Sequence, residues 1–417
     1  MSGSEIRHVP RHLSNPPASD VVVIGGGIVG VSCAAHLAAS GRRVMLLERS
    51  EIAAGASGRN SGVVQHPFDP VLVDLHLETV RLYRDLARTV EGEFALPSEP
   101  AGLLLVSQDA DLARRLTQGL AETHPGLSPT FLDPDAAHAL EPALARDVAA
   151  CRLAMGYPVA PAAATRAYAA WASRLGVEIR VGEPARPWLE SGRVAGVELA
   201  SGERLAAGEV VVAAGPWTPE LVDRTGAWRP IRPLWGVVVG VTLPQPPIHV
   251  LEEAEIEIEP GGEPIEPGGE PIESGAAERR ATDADAAESD GAEPAVAFSL
   301  VTAAGASSLG STFLDDEPDA AAIVPAILAH GARFVPAIAS APVGAYRVCA
   351  RPLSLDGRPL VGRVPGIDGL WVAAGHGPWG ISTGPASGRL LADLLDGRVA
   401  APPPALDPRR FAPPPLG

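Results

Sequence analysis

Thirty residues near the start of this chain, Val21 to Ser50 (VVVIGGGIVGVSCAAHLAASGRRVMLLERS), leave few folds open. The apolar run Val21-Val22-Val23-Ile24 has the length and branching of a strand buried on both faces, as in a parallel sheet. It enters the turn Gly25-x-Gly27-x-x-Gly30, then an apolar helix, then a second strand, Arg43 to Leu47, closed by Glu48. Gly25 permits the tight turn, Gly27 a close backbone approach to a pyrophosphate, and Gly30 close packing of helix on strand. The helix start offers unpaired amides to the phosphates. Glu48, eighteen residues after Gly30, is placed to accept hydrogen bonds from ribose hydroxyls. Strand, turn, helix, strand and acid together imply an adenine dinucleotide site.

At 417 residues the chain is long enough for two or three domains. The net charge of −17 invites a basic partner, but its location argues otherwise. Between Leu251 and Pro294 stand fifteen Asp and Glu against two Arg, a net of −13, which leaves −4 for the rest. No basic cluster suits nucleic acid or an anionic membrane surface. The three cysteines, Cys33, Cys151 and Cys349, are too few and too scattered for a disulfide framework or zinc site, which points to a reducing, cytoplasmic compartment. Residues 1–17 read as a disordered lead-in without a signal's apolar core. The apolar stretch Val21 to Ala39 is interrupted by glycines and His36 and is not read as a membrane span. All 33 basic residues are Arg; without lysine, Schiff-base chemistry and a lysine P-loop are excluded.

Further along, helical spacing is expected over residues 70–90, 109–121 and 161–175, and strands over 101–108, 177–181 and 209–214. Residues 193–199 and 203–205 read as a hairpin closed at Ser201-Gly202. Residues 234–243 and 295–312 are strand-rich with no intervening helices, which suggests a separate antiparallel sheet. Residues 252–294, with a repeated GGEPI unit and scattered acids, read as a disordered insertion. Near the C-terminus the strand Leu370 to Ala374 breaks into Gly375-His376-Gly377-Pro378-Trp379-Gly380 and then a small-residue helix. A second glycine loop and helix start at the far end of the chain implies a cofactor clamped between both ends, where a nicotinamide would need only the first.

These blocks resemble the D-amino-acid oxidase superfamily of FAD enzymes, nearest its glycine oxidase and sarcosine oxidase branches. The resemblance rests on GGGIVG with Glu48, the loop GASGRNSGVV, the strand VVVAAGPWTPEL, and RPLSLDGRPLVG running on to AAGHGPWGIS. It implies an α/β fold with a Rossmann-like, discontinuous FAD-binding domain (18–90, 150–222 and 345–417) and an inserted mixed or antiparallel substrate domain (91–149 and 223–344). FAD contacts are implied at Gly25, Gly27, Ile28, Val29, Gly30, Glu48, Arg49, Ala56, Ser57, Ser61, Gly62, Val63 and Ala185, and at Gly375, His376, Gly377, Pro378, Trp379, Gly380 and Ile381. Arg351 is implied as the substrate-carboxylate ligand; guanidinium matches a carboxylate in two bonds and stays charged. The competing reading of Arg351 is an internal ion pair with Asp356. His376 is read as flavin packing rather than a base, Trp379 as a wall of the flavin site, and Trp171, Trp217 and Trp235 as core.

Sarcosine oxidases attach flavin through a cysteine seven residues before an aspartate, and Cys349 stands seven before Asp356. Arg351 and Pro352 follow the non-covalent glycine-oxidase pattern instead, so non-covalent FAD is expected, with a Cys349 thioether as the alternative. The lysine that promotes oxygen reaction in sarcosine oxidases is missing, and Ser307 or Ser308 stands there. No tyrosine falls in residues 234–243 or 295–312, where D-amino-acid oxidases hold substrate with tyrosine. The resemblance thus implies hydride transfer from a small amino acid or N-methyl amino acid to flavin N5, with oxygen or another electron acceptor reoxidising the flavin. The alternatives are a 2-hydroxy-acid or glycerol-phosphate oxidoreductase, or a non-catalytic flavin-binding subunit.

Overall fold

The computed structural model describes residues 19–254 and 296–411. The lead-in 1–17 and most of the acidic run lie outside them. Residues 252–254 do not, and here the expectation is corrected. Val250–Glu253 is a strand paired on both sides, with Glu252 opposite Ser299 and Leu105. Composition hid it because both carboxylates find partners: Gln65 Nε2 donates to Glu252 at 2.9 Å, and His330 Nε2 lies 2.6 Å from Glu253.

One sheet is built around the fingerprint. Its strands run Leu360–Arg363, Leu370–Ala374, Arg204–Val212, Ser19–Ile24, Val44–Glu48 and Glu178–Val181. All pairings from Leu370–Ala374 onward are parallel. Val21 and Val23 pack under helices on one face, while Val22 and Ile24 on the other are covered by Val194, Val197 and Leu199 of a neighbouring strand, which leaves no polar side to the strand. The helix Ile28–Ala39 is likewise apolar all round and packs between Ala163–Arg174 and Gly380–Leu395. Arg204–Val212 serves three partners: it is antiparallel to Arg193–Leu199 at its start and parallel to Ser19–Ile24 and Leu370–Ala374 toward its end. The hairpin strand and the buried strand read separately from the sequence are therefore one.

The second sheet has the order Val343–Ser354, Ile231–Val241, Ala306–Thr312, Val296–Ala303, Val250–Glu253, Leu103–Ser107, Ala149–Leu153 and Thr130–Leu132. It is antiparallel except where Val250–Glu253 meets Leu103–Ser107. The helix Ala320–Phe334 covers one face, with Phe334 stacked on Phe298 at 4.7 Å between ring centres. Two strands expected within the FAD-binding segments, Ala149–Leu153 and Val343–Ser354, hydrogen-bond into this sheet instead. For Val343–Ser354 the reason is its long antiparallel register with Ile231–Val241, from Ile231 opposite Ser354 to Val241 opposite Val343. Alternation along it puts Arg347, Cys349 and Arg351 on the face away from the helix.

Candidate active site

At the carboxyl ends of the parallel strands lies a cleft of about 680 Å³. Gly25 turns with φ of +119°, where a Cβ would stand 2.3 Å from the Ala213 carbonyl, and a Cβ on Gly30 would stand 2.0 Å from the Gly25 carbonyl. No side larger than hydrogen fits either place. Gly27 caps the following helix without a side-chain bond, and Ile28 N donates to Ser57 Oγ at 2.9 Å. Glu48 caps the next strand end: Oε2 accepts from Gly26 N at 2.7 Å and Oε1 from Ser50 N at 2.9 Å. Those bonds fix the carboxylate at the rim while leaving lone pairs for further donors. Arg49 lies 3.8 Å over the Trp217 ring.

The C-terminal loop closes the other end of the cleft. His376 is 1% exposed, its Nε2 sits 2.9 Å from Ser387 Oγ, and burial holds its pKa down to about 3. It is a neutral ring and no base near neutral pH. Its Nδ1 is buried without a hydrogen-bond partner among the described residues, and the residue lines the cleft.

Beyond the loop the cleft adjoins a second cavity of about 380 Å³, and Asn60, Arg351, Pro378 and Ile381 line both. Arg351 crosses the sheet over Gly236, where an added Cβ would meet its guanidinium at 2.4 Å. Nη2 donates to Ser311 Oγ at 2.6 Å, Nη1 to the Thr312 carbonyl at 2.9 Å, and the Phe313 ring lies 4.6 Å away. Burial pulls its pKa down, with neighbouring Cys349 pulling the other way. No carboxylate pairs with it among the described residues. The competing ion pair is absent, because Asp356 is taken by Arg410 Nε at 2.6 Å. A buried guanidinium bonded only to neutral oxygens retains its capacity for an anion.

Most of the expected cofactor residues converge on the first cleft: Gly25, Gly27, Ile28, Val29, Glu48, Arg49, Ala56, Ser57, Ala185, His376, Gly377, Pro378, Gly380 and Ile381. Gly30, Gly62 and Gly375 shape the backbone behind it and line neither cavity. Ser61, Val63 and Trp379 line the second cavity, so Trp379 is a wall there rather than of the first cleft. Trp217 and Trp235, read as core, are half-buried and line the first cleft; Trp171 does pack against the core. Cys349 is 4% exposed and lines the first cleft, and burial raises its thiol pKa against the pull of Arg351, Arg59 and Arg347. Sequence reasoning missed Gln65 and Glu252, both on the second cavity. Burial raises the Glu252 carboxyl to about 7, with the Gln65 hydrogen bond pulling it back. The only advance signal was the apolar pair Val250-Leu251 directly before the two glutamates, at the mouth of the low-complexity run.

A cleft that joins a dinucleotide fingerprint to a second glycine loop, with a buried cation at its inner end, defines a flavin-linked oxidoreductase. The chain belongs to the FAD dependent oxidoreductase (DAO) family, whose model matches residues 20–394. It is 28% identical to a glycine oxidase of Pseudomonas aeruginosa, over 94% of this chain and 98% of that protein. It is also 28% identical to a D-amino acid dehydrogenase of a Methylobacterium species, over 91% and 95%. Among solved structures, the glycine oxidase of Bacillus cereus matches with a TM-score of 0.73 at 22% identity, over 91% and 96%, which bears on the fold alone. The protein is an FAD-dependent enzyme, and its own geometry fits that group: a glycine-capped helix start, a carboxylate at the strand end and the His376 loop line one cleft. No described helix is long and apolar enough to cross a membrane.

Proposed function

We propose that the enzyme oxidises a small amino acid or N-methyl amino acid, held by its carboxylate on Arg351. The observation that carries this reading is a buried guanidinium without an acidic partner where the cofactor cleft meets the second cavity. Residues along the first cleft hold FAD: the helix start at Gly27–Val29 with Ser57 takes the pyrophosphate, Glu48 the ribose and the Gly375–Ile381 loop the far end. Bound FAD supplies a two-electron acceptor at N5 for a hydride from the substrate Cα–H or N-methyl C–H.

The chain's own part is placement and exclusion. Arg351 fixes one end of the substrate through a planar pair of donors, already aimed by Ser311 Oγ and the Thr312 carbonyl. Phe313, Trp379, Ile381 and Val238 wall the second cavity and keep water from the reacting carbon. The imine that results hydrolyses after release. His376 moves no proton, since burial keeps it neutral. The flavin is held non-covalently: the buried Cys349 thiol is pushed up in pKa and stays protonated, which disfavours attack by its sulfur. No ammonium of a lysine exists to steady a nascent superoxide, so an acceptor other than oxygen suits the reoxidation step.

The test is anaerobic addition of glycine, sarcosine, hydroxyproline, D-amino acids and 2-hydroxy acids to the purified yellow protein. Bleaching by an amine-bearing acid is expected. Bleaching by 2-hydroxy acids alone would overturn the reading.

A further inference from the structure

The second cavity has a negative pole as well as a positive one. Glu252 and Ser299 are directly opposed across neighbouring strands, and Ser299 in turn faces Gly310 and Gly310 faces Val238. Val238 pairs with Arg347, and two steps further along that strand's same face stands Arg351. Glu252 and Arg351 therefore project from one face of one sheet, and both line the same cavity. Each lacks an ion partner among the described residues: Glu252 accepts only from the neutral Gln65 amide, and Arg351 donates only to Ser311 and Thr312. Gln65 is itself locked, its backbone N–H donating to Ser382 Oγ at 2.9 Å.

The spacing suits a ligand between them. The guanidinium is held by the strand Ala306–Thr312, and Glu252 stands two strands away across the sheet. Two inter-strand steps are about 10 Å, part of which the glutamate side chain spans. A carboxylate and ammonium on one carbon, with a hydrogen bond at each end, occupy about 8–9 Å. Two opposite charges sunk in one cavity and not touching each other are costly unless a dipolar ligand satisfies both.

We propose that Glu252, oriented by Gln65, is the specificity-determining residue that receives the ammonium of the substrate, so that the second cavity selects zwitterions over simple carboxylates. This rests on the reading that Arg351 binds the carboxylate. Near neutral pH, Glu252 also accepts one proton from that ammonium, giving a neutral carboxyl and the neutral amine from which hydride can leave; no other group changes protonation. Other charged or titratable groups lining the cavity are Arg351, Asp69, His124 and Glu253, the last bonded to His330.

The test uses the oxidised FAD-bound protein and two probes without a Cα–H, 2-aminoisobutyrate and its isostere pivalate, which replaces the ammonium by methyl. Binding is read from the flavin absorbance. Wild type should favour aminoisobutyrate. Glu252→Gln should weaken aminoisobutyrate by about tenfold or more and leave pivalate unchanged or tighter. Glu252→Asp should retain part of the preference, and Arg351→Ala should lose both probes. Equal changes for both probes in Glu252→Gln would overturn the proposal. Should that variant not retain FAD, wild type still decides it: at pH 7 aminoisobutyrate binding releases protons in excess of pivalate binding, and equal release overturns it. Failure of the underlying reading looks different, with neither probe sensitive to Arg351→Ala.

Discussion

Replacing Glu252 by Gln should make the substrate-free protein more stable, by an amount that grows as pH rises from about 4.5 to about 7 and is constant above that. The carboxyl is raised from 4.5 to about 7 by burial. Between those values the folded protein retains a proton that the unfolded chain has released, so stability falls as pH rises through that window and the deficit is full above 7. Two and a half pKa units at about 1.36 kcal/mol each give roughly 3 kcal/mol. At pH 5 most of that deficit has not yet appeared. The replacement amide has the same shape, stays neutral at every pH, and its oxygen still accepts from Gln65 Nε2. The expected result is a stability advantage of the variant that grows by roughly 2 kcal/mol between pH 5 and pH 8. The assay is urea unfolding of the FAD-bound wild type and variant at both pH values, followed by tryptophan fluorescence. A variant whose midpoint differs from wild type by the same amount at pH 5 and pH 8 would refute the reasoning, because it would mean that Glu252 is not held in a dehydrated site.

Other outcomes are open to direct measurement. Arg351→Ala should keep the yellow colour and raise KM by an amount on the order of 2–4 kcal/mol in binding, with Arg351→Lys recovering part of it, as read from steady-state kinetics. Gly236→Ala should mimic that loss without touching a charge, since its Cβ would stand 2.4 Å from the guanidinium, whereas Gly126→Ala, with open space around it, should leave KM unchanged. Glu48→Ala should weaken FAD binding by flavin-release titration, through loss of the ribose acceptor and of the Gly26 N–H bond. Reduced enzyme should transfer electrons to a dye or quinone faster than to oxygen in stopped flow; a rate with oxygen like that of a sarcosine oxidase would sink the argument from the missing lysine.

How much of this was legible in the sequence depends on the range of the forces involved. The fingerprint from Val21 to Glu48 is local: strand, turn and helix follow each other within thirty residues, so spacing alone defines them. The His376 loop was legible for the same reason, being a strand that breaks into glycines. Arg351 was found through a motif, yet its setting could not be read, because Ser311 and Thr312, about forty residues away, and Gly236, more than a hundred away, reach it only through the sheet. Glu252 was lost altogether. A charged residue at the edge of an acidic repeat looks solvated until the sheet places Leu105 on one side of it and Ser299 on the other. Trp217 and Trp235 show the converse error: aromatic bulk suggested core, while the chain spends both on the wall of a cleft.

The acidic run leaves the sheet after Glu253 and the chain returns at Val296, on the strand next door, with Leu251 opposite Leu300. The described residues on either side of it are thus anchored on neighbouring strands, by the pairing of Leu251 and Glu252 with Leu300 and Ser299. Doubling or halving such a connection changes closure entropy by only about 0.6 kcal/mol. The position is a natural socket: passengers of different length, from a short turn to an entire foreign domain, can be spliced there while the paired strands stay in register. Because Glu252 stands just before that socket, a sensor module grafted into it would report on the cavity from a few residues away.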